Sequence, residues 1–280
     1  RRAVIEGVMR TSAVGGLPIG ATDCLNYGNP RIPEVMWSFV EGVEGIREAC
    51  LALDVPVVSG NVSLYNQTDD RAVYPTPALG VVGLVEDFRP LFEQGGVVVP
   101  GPATGDPVVL LGWPAHSVKG SLIAADAPHG PEPLSLPQVK QACDLVRALR
   151  WDGALREAQP VLEGGLFGAL IEIAHRANNG LFVSISRQPV AGAANWPDDA
   201  HRSLFGEDAV AFALVVPPDR LQEVAARAAE AGVPCEVLGA LGGHNFVVAA
   251  DGQPIFEWEV SALFAEREAI VPRIAAGGAS

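Results

Sequence analysis

Between Pro33 and Asp54 runs a long amphipathic segment, and it constrains the fold more than any other stretch. Met36, Val40, Val43, Ile46, Cys50 and Leu53 recur at steps of three or four, the spacing of one buried helical stripe. Pro30 and Pro33 prepare its start. A short strand within "LPIGATDCLNYGNP" precedes this helix and a strand in "VPVVSG" follows it. Each strand is expected to open into small polar residues. These are Thr22-Asp23-Cys24-Leu25-Asn26-Tyr27-Gly28-Asn29-Pro30 after the first and Gly60-Asn61-Val62-Ser63-Leu64-Tyr65-Asn66 after the second. In α/β proteins ligand groups gather at the C-terminal ends of strands, so these two loops form the candidate site.

Their chemistry is oxygen-rich. Asp23 and Asn61 offer the hard donors that Mg²⁺ prefers, Gly60 admits a close backbone approach to phosphate, and the Ser63 hydroxyl can donate to another oxygen. Two such loops facing each other would hold a Mg²⁺–nucleotide. The same residue types are also the commonest turn formers, so spacing alone leaves an ordinary strand exit open. The chain has no P-loop and no glycine-rich dinucleotide fingerprint. Trp37 and Phe39 flank the helical stripe and read as core; Asp69-Asp70 and Asp198-Asp199 read as solvated turns. His175 reads as a capping or surface residue. Glu207-Asp208 is either a strand-entry turn or part of a second acidic site.

Composition narrows the function classes. With 33 acidic against 19 basic residues the net charge is −14, which argues against a nucleic-acid or acidic-membrane surface. A phosphorylated ligand in one local pocket stays compatible with that balance. Cys24, Cys50, Cys143 and Cys235 are scattered without metal-ligand spacing and read as reduced thiols. No apolar run reaches the ~20 residues of a membrane span, and no secretory signal pattern opens the chain. The expectation is a cytoplasmic protein with no membrane and no nucleic-acid partner. The chain also starts at Arg1 inside an amphipathic run, residues 3–14, which reads as a piece of a longer chain.

Four glycines and three prolines in residues 89–106 mark a boundary, giving domains 1–103 and 104–280. Beyond it, strands are expected near 106–113, 181–185, 209–216, 234–240, 245–250 and 254–259. Helices are expected at 137–150, 165–178, 218–231 and 261–271. This order reads as α+β, a sheet layered with helices.

The strings "TDCLNYGNPRIPEVMWSFVEGVEGIREACLALDVPVVSGNVSLYNQT" and "YPTPALGVVGLVED" closely resemble the phosphoribosylformylglycinamidine synthase family, within the PurM-like superfamily. Residues 105–275 follow the family's C-terminal domain more weakly, through "GDPVVLLG", "EGGLFGALIEIA", "LFGED" and "LGALGG". The resemblance implies a partial PurM-like N-terminal-type, ATP-binding half-unit followed by a PurM C-terminal-like α/β domain. It implies an ATP-dependent ligase of purine biosynthesis that converts formylglycinamide ribonucleotide to its amidine with ammonia from glutamine. ATP and Mg²⁺ are the implied cofactors. The implied partners are a PurQ-like glutaminase subunit and a small PurS-like subunit, since no glutaminase domain follows Ser280. By matched position, Asp23 and Gly60 would contact ATP, Asn61 would bind Mg²⁺ and Ser63 would hold the substrate.

Departures accompany the match. The family's catalytic histidine belongs to an upstream half, so this segment alone is expected to be inactive. An Arg-Asn pair of the opening helix appears as Met9-Arg10. A His-Asp-x-Ser motif gives way to Gln159-Pro160-Val161-Leu162 before Glu163-Gly164-Gly165, and "AVAF" follows "LFGED". These changes put a second nucleotide site in doubt. Two alternatives stand beside the main reading: another PurM-like kinase or synthetase, and a non-catalytic half-unit used for packing and glutaminase docking.

Overall fold

The computed structural model describes residues 1–69, 71–85, 88, 93–94, 97–98, 100–124, 133–185 and 199–275. Contacts group the chain into two units, Arg1–Leu91 with Leu134–Trp151, and Phe92–Pro133 with Asp152–Ser280.

The first unit contains α1 (Arg2–Ala13), β1 (Leu17–Asn26), α2 (Pro33–Leu53), β2 (Val57–Ser63), the hairpin β3 (Gln67–Thr68) and β4 (Arg71–Ala72), β5 (Ala78–Leu84) and α3 (Leu136–Trp151). Its sheet has the order β2-β1-β5. β1 and β2 run parallel, which requires a long crossover, and α2 supplies it. β5 returns antiparallel on the other side of β1. Val4, Ile5, Val8 and Met9 of α1 are buried, and Gly7 lies so close to Val81 of β5 that a methyl group there would overlap it. The helix α3 packs on α1 and α2. Arg150 Nε donates to the Ala13 carbonyl at 2.9 Å and Trp151 Nε1 to that of Gly15 at 2.9 Å. A sequence boundary at 103 puts this helix with the second half, whereas its contacts place it in the first unit.

The helix expected from the 36–53 stripe forms, but only its last two turns are covered. Ile46, Cys50 and Leu53 are buried, whereas Met36, Val40, Val43 and Trp37 are exposed. Periodicity identifies an apolar face; it does not supply the surface that covers it. Phe39 does pack, edge-on to Tyr27 with ring centroids 5.1 Å apart.

The second unit opens with the short pair β6 (Glu93–Gln94) and β7 (Val97–Val98). Its main sheet is built from β8 (Pro107–Trp113), β9 (Glu157–Pro160), β10 (Leu181–Ile185), β11 (Val210–Val215), β12 (Cys235–Leu241), β13 (Asn245–Ala250) and β14 (Gln253–Glu259). The order is β14-β13-β10-β12-β8-β11-β9, with β10 and β13 parallel and the remaining pairs antiparallel. The helices are α4 (Gly165–Ala177), α5 (Asp199–Phe205), α6 (Leu221–Glu230) and α7 (Val260–Ala275). β11 is buried along its whole length and β8 over five of its seven residues, as a central strand covered on both faces demands. Leu170, Ile173, Leu181, Val183, Phe246 and Val248 anchor the core under α4. Of these elements β9 and α5 carry no strong sequence signal. Asp70 and Asp198 lie outside the described residues.

Cys143 of α3 is buried against α1, and burial pushes its thiol from 9.0 up to about 12; the Ser12 hydroxyl opposes this only in part. The folded state therefore keeps this proton where the unfolded chain has lost it. Stability from this site is complete below pH 9.0 and declines as pH climbs toward 12. A Cys143→Ala variant should accordingly lose less stability than the parent between about pH 8 and about pH 10.5 in urea unfolding. Equal losses in the two proteins would show that the thiol titrates freely.

Candidate nucleotide site

The two polar strings are not loops that face each other. They lie inside neighbouring parallel strands, paired Asp23 with Gly60, Cys24 with Asn61, Leu25 with Val62 and Asn26 with Ser63. Ladder hydrogen bonding outweighs the turn preference of Asp, Asn, Gly and Ser here. The register shifts just before this stretch, from Ala21–Val57 to Thr22–Ser59, so Val58 is the extra residue of a bulge. Past the strand ends the strings stay joined. Tyr27 N donates to Ser63 O at 3.0 Å, Tyr65 N to Gly28 O at 2.9 Å and Asn66 N to Tyr27 O at 3.0 Å. The Asn66 side-chain amide adds a bond to Ser63 O at 2.9 Å.

Strand alternation sorts the candidate residues onto two faces. Asp23 and Gly60 share the helix-covered face with Leu25, which is buried. Asn61 and Ser63 share the opposite face with Cys24 and Asn26, whose side chains meet at 3.3 Å. Thus Asp23 and Gly60 are brought together, as are Asn61 and Ser63, but the sheet separates the two pairs. Among the described residues β2 is an edge strand of this sheet, so a ligand crossing its outer edge would reach both faces.

Asp23 borders an open cleft of about 490 Å³ between β2 and α2. Its walls include Val43, Ile46, Arg47, Cys50, Val55 and Val57. Burial pushes the Cys50 thiol up, and the nearby Asp23 carboxylate adds to the rise. Arg47 and Cys50 escaped the sequence reading of the site. The signal for Cys50 was the C-terminal part of the α2 stripe, which borders the same cleft as Asp23, whereas Arg47 lies off the stripe and carried none. Tyr27 is buried over Gly42, and burial raises its hydroxyl pKa.

In the second unit the ambiguous acidic pair fastens loops. Glu207 is buried, and its Oε1 accepts from the backbone N–H groups of Leu122 and Gly164, each at 3.0 Å. Asp208 Oδ1 accepts from His116 N at 3.0 Å and Ser117 N at 3.2 Å. Gly165 follows at φ +65°, where a side chain would overlap the carbonyls of Leu204 and Gly206. Val161 and Leu162 are buried beside this corner. His175 sits in the last turn of α4 with its ring edge-on to Phe264 at 4.8 Å. Among the described residues no three His, Cys, Asp or Glu side chains converge to hold a metal.

A partial sheet carrying paired polar strands, followed by a seven-stranded sheet backed by helices, defines a PurM-like α/β protein. Solved structures with this arrangement include Thermotoga maritima PurL complexed with ATP (TM-score 0.66, 19% identity, 93% of this chain and 40% of that one). Another is a chain of the HypE–HypF complex (TM-score 0.61, 18% identity, 92% and 82%). At such identities the likeness shows the fold. The chain belongs to the AIR synthase related family: the N-terminal domain of that family matches residues 1–85 and the C-terminal domain residues 104–263. Among curated proteins it is 36% identical over 282 residues to phosphoribosylformylglycinamidine synthase subunit PurL of Bradyrhizobium sp. strain BTAi1, covering 99% of this chain. The PurL subunit of Azorhizobium caulinodans is 38% identical over 260 residues and 91% of this chain. The chain spans about a third of the length of these relatives, 36% and 34%.

The loop-fastening role of Glu207 has a direct consequence. Glu207→Ala should lower stability by about 1–3 kcal/mol, because two partly buried amide donors lose their buried carboxylate acceptor, while Glu207→Gln should retain part of it. Denaturant unfolding of the three proteins measures this, and an Ala variant as stable as the parent would contradict it.

Proposed function

We propose that this chain is the part of a phosphoribosylformylglycinamidine synthase that carries one PurM-like half-unit, in an ATP-dependent ligase of purine biosynthesis. The observation that carries the reading is the zipped pair of strings, TDCLNYGNP and SGNVSLYN, within an alignment to PurL subunits that spans 99% of the chain. A Thermotoga maritima PurL has been solved with FGAR, and the formylglycinamide ribonucleotide substrate is carried to this chain on that basis. A related PurLQS structure motivates the PurQ-like glutaminase and PurS-like partners, with glutamine as the amide donor. No described helix is long and apolar enough to cross a membrane, and a cytoplasmic setting is part of the proposal.

In this reading Asp23 and Gly60 serve ATP, Asn61 serves Mg²⁺ and Ser63 the substrate. The donor set suits these roles. Mg²⁺ keeps most of its shell as water and phosphate and takes only one or two protein oxygens, so one amide oxygen on an open strand face is an adequate anchor. Asn61 would hold the ion that neutralises phosphate charge during transfer to the amide oxygen. Ser63, two residues along the same face, would orient the acceptor. Such transfer depends on positioning and charge neutralisation rather than on a nucleophilic side chain. Ammonia then displaces the phosphate at the activated carbon. The catalytic histidine that the family resemblance implies would come from the rest of the chain.

The test is ATP- and ammonium-dependent amidine formation from formylglycinamide ribonucleotide, with the full-length protein and its Asn61→Ala variant. Product from the parent and a loss on the order of a hundredfold or more in the variant is the expected result. Full activity in the variant would make this half a packing partner instead. A folded parent that forms no product would favour another PurM-like reaction.

A further inference from the structure

Gly60 occupies a place where its backbone asks for nothing special: its φ is not among the positive values that favour glycine in this chain. What forbids a side chain there is space. The three heavy atoms nearest the position of a Cβ all belong to Asp23: the carboxylate Oδ1, which such a carbon would overlap, Cγ at 2.8 Å and the backbone oxygen at 2.9 Å. The two residues are register partners on adjacent parallel strands, so the carboxylate lies flat across β2 on the bare Cα of Gly60. In that pose Asp23 borders the cleft of about 490 Å³ walled by Ile46, Arg47 and Cys50. Other crowded glycines of this unit meet different neighbours: Gly7 meets Val81, Gly83 meets Thr11 and Gly42 meets the Tyr27 hydroxyl. Those glycines seat packing groups, whereas Gly60 seats a charged acceptor.

We infer that Gly60 is a positioning residue, whose missing side chain sets the Asp23 carboxylate across β2 toward the cleft, where it accepts hydrogen bonds from a nucleotide's donor groups. This rests on the reading of Asp23 as a nucleotide contact. A carboxylate without a metal repels phosphate and accepts from hydroxyl or amino groups, so the part of the nucleotide it suits is the ribose or base. Any Cβ at position 60 would rotate the carboxylate off the strand and out of that geometry.

Two measurements on the full-length protein test this. The first is ATP affinity, together with kcat and the KM for each substrate, for Gly60→Ala, Asp23→Asn and the double variant. Each single change should weaken ATP binding on the order of ten- to hundredfold, the loss of one hydrogen bond to a charged group. The double variant should be no worse than either, and the KM for ATP should rise while kcat and the KM for formylglycinamide ribonucleotide hold. The second is thermal stability of Gly60→Ala in the parent and in Asp23→Ala. Most of its cost should vanish once the carboxylate is gone, leaving the smaller strain against the Asp23 carbonyl.

ATP affinity unchanged by Gly60→Ala but lost in Asp23→Asn would overturn the positioning role. So would losses that multiply in the double variant, or a stability cost that is the same with and without the Asp23 side chain. If Asp23→Asn itself leaves ATP binding intact, the assignment of Asp23 to the nucleotide fails, and the inferred role at the site fails with it. The stability cycle would then still report whether Gly60 seats the carboxylate, which separates the two failures.

Discussion

The pairing of β1 with β2 sets everything else at the site. Past the bulge at Val58 the register places Gly60 beneath Asp23 and Val62 beneath Leu25, with Asn61 and Ser63 turned to the opposite face. Were Val58 paired regularly after Ala21–Val57 instead of bulging out, β2 would be slid by one, and a one-residue slip sends every side chain to the other face. Asp23 would then meet Ser59, and Asn61 would be forced under Leu25 against the helices. One bulged valine thus separates a carboxylate cradled on bare backbone from a polar amide pressed into the core.

Much of this was legible before any coordinates, though unevenly. The helix at 33–53 and the strands at 181–185 and 245–250 follow from periodicity and glycine punctuation. The strings around Asp23 and Gly60 mark the candidate site through their family resemblance. Their geometry was not legible, because Asp, Asn, Ser and Gly carry turn preferences that a paired neighbour strand overrides. Which face each residue takes depends on a bulge that no local pattern announces. Met36, Val40 and Trp37 show the same limit on the helix, where an apolar stripe runs beyond the surface available to bury it. The helix at 136–151 lies after the glycine-rich boundary in sequence and yet packs with the first unit, a long-range outcome invisible to a reading along the chain.

In the second unit an acidic pair does structural work at a loop corner. In the segment before Gly164, where the resemblance implies a His-Asp-x-Ser motif, this chain has Gln159, Pro160, Val161 and Leu162, of which Val161 and Leu162 are buried. Glu207 and Asp208 still bind loop amides from four positions, holding the turn into α4 in shape. Both carboxylates are therefore engaged with backbone amides, and the observed role of this corner is to frame the loops around it.

The outer edge of β2 also bears on how the chain behaves in a crowded solution. Among the described residues no strand pairs with that edge, and Val57, Val58 and Val62 are all exposed along it. An unpaired strand edge is a template for another chain's backbone, and apolar side chains beside it strengthen the attraction. The bulge twists the edge and the small polar residues dilute it, both of which slow such adhesion. Access for the proposed ligand and vulnerability to self-association are therefore two readings of one open strand edge.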